Sequence, residues 1–158
     1  YKIPPAGQQA NYVGYPAFPN EKDAITLVDS AFANDWQILA HCAGDASSDE
    51  FIKAVRHASN LYGNTNRRPV MVHAHMARMD QLDSMKALNI IPSFFSMHTY
   101  YWGDWHVESV MGIERAKNCG LHRRIVGGLT IPLLKAVAPQ DVSAPNYEVA
   151  LTTTVPPD

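Results

Sequence analysis

The sequence predicts an α/β fold, a partial (β/α) barrel of parallel strands alternating with helices. Two apolar runs, Trp36 to His41 and Val70 to His73, each stop abruptly at a histidine. A polar turn and then apolar positions at helical spacing follow each run, as when a buried parallel strand delivers a side chain at its carboxyl end. A third run, Ile90 to Phe95, leads into a segment that carries His98. His41, His73 and His98 recur about once per strand-helix unit, and units in series present such side chains at one end of the sheet.

The elements follow in order. Residues 1–19 contain Pro4, Pro5, Gly7, Gly14, Pro16 and Pro19, a density of breakers that predicts an extended arm. Asn20 is placed to cap a helix over Glu21 to Ala33, whose apolar positions Ala24, Ile25, Val28, Ala31 and Phe32 form one face. Asn34 and Asp35 end it, and the strand ending at His41 follows. A turn over residues 42–47 opens a second helix with Phe51, Val55, Ala58, Leu61 and Tyr62 inward, stopped near Gly63. After Val70 to His73, a third helix over Asp80 to Leu88 turns Leu82, Met85 and Leu88 to one side. The third strand runs out into a loop over residues 96–106, rich in aromatic residues and histidine, and a fourth helix covers Glu108 to Asn118. Beyond Arg124, Gly127, Gly128 and Pro132 interrupt the pattern, and no element is assigned.

A chain of 158 residues with 46% hydrophobic content suffices for one core and not for two comfortable ones, so one domain is expected. It divides into the arm (1–19), the βα units (20–124) and a divergent tail (125–158). A net charge of -2, with scattered Lys and Arg, leaves no basic stripe for nucleic acid. No stretch reaches the length of a membrane span and no signal-peptide pattern opens the chain, so a soluble, cytoplasmic protein is expected. Cys42 and Cys119 lack the paired spacing of a zinc knuckle or redox motif, which fits a reducing compartment. The first residue is Tyr1, which points to a removed leader or a longer chain.

His41 and His73 at corresponding strand ends predict a shared cleft whose occupant is a divalent metal and whose chemistry is hydrolysis by activated water. Taken singly, each is also readable as a core histidine bonded to a carbonyl. His75 alternates with His73 and is the weaker candidate. His98 is placed for substrate or metal. Asp45 either orients a ligand or caps the following helix. Trp102 and Asp104 form a candidate substrate rim, with simple packing as the alternative for the aromatic residues. His57, His106 and His122 are expected on the surface. The chain contains no GxSxG, P-loop, GxGxxG or HExxH, so serine-hydrolase, nucleotide and zincin readings lack support.

The runs Trp36-Gln37-Ile38-Leu39-Ala40-His41-Cys42-Ala43-Gly44-Asp45, Val72-His73-Ala74-His75 and Ile91-Pro92-Ser93-Phe94-Phe95-Ser96-Met97-His98-Thr99-Tyr100-Tyr101-Trp102-Gly103-Asp104-Trp105-His106 resemble the metal-dependent amidohydrolase superfamily. The branch resembled is the one that includes N-substituted formamide deformylase, and the resemblance covers Tyr1 to Arg124. It implies a TIM-like barrel whose fifth and sixth strands end in metal-binding histidines, matching His41 and His73. His98 matches a histidine that the branch carries after its next strand. A small-molecule amide or formamide substrate and a divalent metal, zinc by expectation, come with the resemblance.

The departures matter as much. The family's first-strand His-x-His pair, its fourth-strand bridging ligand and its small β-sandwich would precede Tyr1. Its last-strand aspartate should follow Gly128-Leu129-Thr130, where Ile131-Pro132-Leu133-Leu134 stands, and neither Asp141 nor Asp158 fits. Because a full barrel takes about 250 residues, roughly half of one is expected here, with exposed strand edges that a homodimer or larger assembly would cover. Two alternatives stay open: a catalytically silent, self-associating half barrel, and esterase or lactonase activity in the same site.

Overall fold

The computed structural model describes residues 1–64, 67–94 and 97–116. In chain order it contains α1 (Glu21–Ala33), β1 (Leu39–Cys42), α2 (Asp45–Tyr62), β2 (Val70–His73), α3 (Met79–Ala87), β3 (Ile91–Phe94), α4 (Met97–Trp105), a π-helix (His106–Val110) and α5 (Ile113–Ala116). The strands form one parallel sheet in the order β1-β2-β3, alternating with helices as a partial β/α barrel requires. Predicted Cys119, His122 and everything from residue 117 onward lie outside the described residues.

The chain divides into two compact units, one of residues 13–92 and one of residues 1–12 with the chain from Ser93 onward. In the first unit, α1 starts where Asn20 Oδ1 accepts the Lys22 N–H (3.2 Å), and it buries Ala24, Val28, Ala31 and Phe32 as its spacing predicts. The inner face of α2 buries Phe51, Val55 and Ala58, whereas Leu61 and Tyr62 are exposed: the helix ends at Gly63 before its last turn meets a neighbour. Glu50, also on the buried side of α2, accepts the N–H groups of Ala17 (2.8 Å) and Phe18 (3.2 Å). The breaker-rich arm therefore docks at its end through a buried carboxylate, which satisfies that carboxylate in turn.

Strand boundaries move. β1 begins at Leu39 and not at Trp36, because the exit of α1 consumes the intervening residues. Asp35 N–H donates to Phe32 C=O (3.2 Å) and Trp36 N–H to Ala31 C=O (2.9 Å), the paired bonds of a Schellman cap. α3 ends the same way, with Asn89 N–H on Lys86 C=O (3.3 Å) and Ile90 N–H on Met85 C=O (2.9 Å). The left-handed residue that each cap needs is Asp35 (φ 56°) or Asn89 (φ 54°), not glycine. Short polar side chains tolerate that conformation best after glycine, which explains why neither stop is marked by the usual residue.

β1 and β2 pair in the register Leu39↔Val70, Ala40↔Met71, His41↔Val72 and Cys42↔His73. One face of the pair carries Cys42 and Met71, both buried. On the opposite face Leu39 is 49% exposed and His41 is exposed. Below the strands, Arg67 sits over the Phe32 ring (4.9 Å) and donates to Asp35 Oδ1 (2.7 Å).

In the second unit, the segment expected as a loop over 96–106 is helical from Met97 onward. Tyr101, Trp102 and Trp105 fall at helical spacing after His98, and a helix satisfies the backbone of this run internally. Of the helix expected over Glu108 to Asn118, the described part, to Ala116, is the end of a π-helical turn and then the short α5. His106, the first residue of the π turn, is 5% exposed, so its expected surface placement is wrong: it packs on the inner side of this unit. Lys2 N–H bonds Val110 C=O (2.5 Å), tying the arm's start to this unit.

Asn89 supplies a specific expectation for stability. Asn89→Gly, compatible with the left-handed cap, should stay within about 0.5 kcal/mol of the parent, and Asn89→Val should lose about 1–2 kcal/mol. Urea unfolding midpoints at constant m-value measure both.

Candidate functional site

His41 and His73 come from adjacent strands of the first unit, and regular pleating alone would keep them apart. Residues opposite each other in the ladder share a face, so His41 goes with Val72 while His73 goes with Cys42. The backbone breaks this alternation. His73 has φ 73° and Ala74 φ 44°, two consecutive left-handed residues without a glycine. The His73 ring meets that of His41 edge-on, with centroids 4.3 Å apart and planes at 78°. Each such residue costs about 1–2 kcal/mol, so the geometry persists only where the surroundings enforce it.

The enforcing contacts are visible. Ala74 N–H donates to Cys42 C=O (3.2 Å), extending the ladder one step past the strands, and Ala77 N–H donates to Ala74 C=O (3.2 Å), closing the turn. Beyond the turns the two helix starts are linked. Asp45, buried, is the first residue of α2 and Gly44 is its N-cap, so Asp45 neither caps the helix nor is fully solvated. Its Oδ1 lies 3.5 Å from Arg78 Nη1, and Arg78 is the N-cap of α3.

Electrostatics at the pair favour a neutral His73 ring. Burial, and secondarily the charge of His41, pushes the His73 imidazole below the usual histidine range, leaving a nitrogen lone pair available near neutrality. The adjacent Cys42 thiol is pushed up to about 12, first by burial and then by Glu50. It stays a protonated, inert thiol and offers no thiolate ligand. His75 is buried in the same unit.

The second unit holds the remaining predicted residues. His98 lies in the first turn of α4, its ring edge-on to Trp102 at 5.0 Å, and Trp102, Asp104 and Trp105 are exposed. Exposed His57 on α2 contacts Asp29 on α1 at 3.1 Å, away from any strand end.

Two imidazoles at neighbouring strand ends suit a borderline divalent ion such as zinc, and on donor chemistry they fit as part of a ligand set. Among the described residues, no group of three or more His, Cys, Asp or Glu side chains is disposed to hold a metal. Sequence reading missed Arg78, Asp49 and Gln81. Gln81 had a signal: it shares a helical face with Met85 and Leu88, and a polar residue on an apolar stripe needs partners.

A profile of the amidohydrolase family matches residues 2–135, which runs past Arg124 through the Gly128-Leu129-Thr130 segment. No curated protein and no solved structure matches the chain.

Acid sensitivity follows from His106. Burial lowers its pKa, so between that value and the unfolded value of about 6.5 the unfolded chain binds more protons than the folded one. Stability from this group is intact above the window and falls as pH drops through it. Urea midpoints measured at about pH 7.5 and about pH 5 should differ less in His106→Phe than in the parent.

Proposed function

The chain belongs to the amidohydrolase family, and on that premise we propose that it is a metal-dependent hydrolase of a C–N bond in a small amide or formamide. The observation that carries the reading is the 4.3 Å approach of the His41 and His73 rings at adjacent strand ends, achieved against the pleat and at a backbone cost. Structural histidines need no such arrangement.

His41 and His73 would hold the ion, zinc in this reading. A metal bound there supplies Lewis acidity toward the carbonyl oxygen and lowers the pKa of a coordinated water. The chain's own contribution is to keep the His73 ring neutral, to orient both rings and, through the turn at Ala74, to fix the angle between them. Asp45 faces Arg78, which favours an orienting role over proton transfer for its carboxylate. His98, Trp102 and Asp104 are proposed for the substrate side. This assignment rests on the family's motif and on the exposure of Trp102 and Asp104, and His98→Ala should act on KM or kcat without changing metal content.

The test is metal content and amidase activity of the parent, His41→Ala and His73→Ala. Each substitution should lower bound zinc and reduce hydrolysis of a formamide by about 100-fold or more, the scale of losing a metal ligand. Equal metal in all three proteins would end the reading. A second reading, a catalytically silent half barrel, is favoured by the lack of a third ligand among the described residues. It predicts no turnover of amides or of esters and lactones at any zinc concentration.

Leu39, 49% exposed on the sheet face that also bears His41, and the outer edge of β1, which pairs with no other strand among the described residues, support a homo-oligomer in which a second copy covers them. Sedimentation velocity should return a dimer or larger species, and a single monomeric boundary at micromolar concentration would contradict it.

A further inference from the structure

Arg78 lies five residues past His73 and makes more polar contacts than any role as a surface cation requires. Its Nη1 and Nη2 donate to Asp49 Oδ2 (3.2 Å) and Oδ1 (2.8 Å), a two-pronged bond to the first turns of α2. Nε and Nη2 donate to Asp80 Oδ1 (3.0 Å) and Oδ2 (2.9 Å), on the start of α3. The buried Asp45 carboxylate lies 3.5 Å from Nη1.

Gln81, 1% exposed, closes the same knot from within. Its Oε1 accepts the Arg78 backbone N–H (2.9 Å), while Nε2 donates to Asp45 C=O (3.2 Å) and Asp49 Oδ1 (2.8 Å). Thus the loop leaving β1 after His41 and the loop leaving β2 after His73 are fastened together immediately beyond the two rings. Between the knot and the strands lies the left-handed His73-Ala74 step, whose ring direction is set by backbone angles that this sequence does not favour intrinsically.

We propose that Arg78 is a positioning residue: by binding the first turns of α2 and α3 to each other, its guanidinium holds the strained end of β2 so that the His73 ring stays against His41. A lysine would not serve, since a point charge on a flexible stem cannot present a planar fork to two carboxylates at once. The consequence for metal affinity rests on the reading of His41 and His73 as ligands, whereas the consequence for ring geometry does not.

The experiment reads both. In the metal-free full chain, a nuclear Overhauser contact between the His41 and His73 ring protons reports their approach. In parallel, Co2+ affinity is measured by competition with a chromophoric chelator. Arg78→Ala should lose the ring contact and weaken Co2+ binding by about 10–100-fold, the usual effect of removing an outer-shell partner. Lys53→Ala, which breaks the comparable exposed pair between Lys53 and Glu21 (2.6 Å) elsewhere on α2, should change neither. Should Arg78→Ala fail to fold, Arg78→Lys is read by the same rule. A ring contact of parental intensity in the folded Arg78 variant overturns the proposal. If the contact is lost while parent and His41→Ala bind Co2+ equally, positioning by Arg78 stands and the metal reading falls.

Discussion

The first unit depends on a mismatch between sheet register and the direction of two side chains. Parallel pairing of β1 with β2 sets His41 beside Val72 and leaves His73 one step further on, nominally on the other face. Bringing the rings to 4.3 Å therefore requires the backbone to leave the β region at His73, and it does so for two residues in succession. Such a departure in non-glycine residues is maintained by neighbours, so the turn after β2, the extra ladder bond from Ala74 to Cys42 and the tie between α2 and α3 form one mechanical unit.

Two buried polar side chains of this unit, Glu50 and Gln81, are held by specific bonds. Glu50 serves the backbone of Ala17 and Phe18, and Gln81 bridges the starts of two helices. Each bond joins segments about thirty residues apart, closing loops that the short strands alone would close weakly. The four-residue strands contribute few ladder bonds, and helix packing through Phe32, Phe51 and Val55 supplies the apolar burial. Polar ties then choose the orientation of the carboxyl ends, where family members place their chemistry.

The order of helices and strands was legible from residue patterns because amphipathic spacing is a local property. The bounds of α1 and β2 match the spacing, and α3 and β3 lie within a residue of it. The early start assigned to β1 at Trp36 failed because a Schellman cap built on Asp35 looks, in one dimension, like the beginning of a strand. The aromatic run after β3 was read as a loop because tyrosine and tryptophan favour neither element strongly, and its helical phase emerges only when 98, 101, 102 and 105 are considered together. Burial of His106, the first residue of the π turn, was invisible because which side of that turn faces inward is set by packing and not by the local run.

By itself the sequence determined the βα alternation and the two histidines at strand ends, both consequences of residue spacing along the chain, while the family came from the likeness of its motifs to a known one. Tertiary structure alone decided that the two rings meet, because ring direction depends on left-handed angles at His73 and Ala74 that no local preference encodes. It also decided that Arg78, Asp49 and Gln81 belong together: their bonds span roughly thirty residues, and contacts at that separation are fixed by how the helices pack and not by the residues between them.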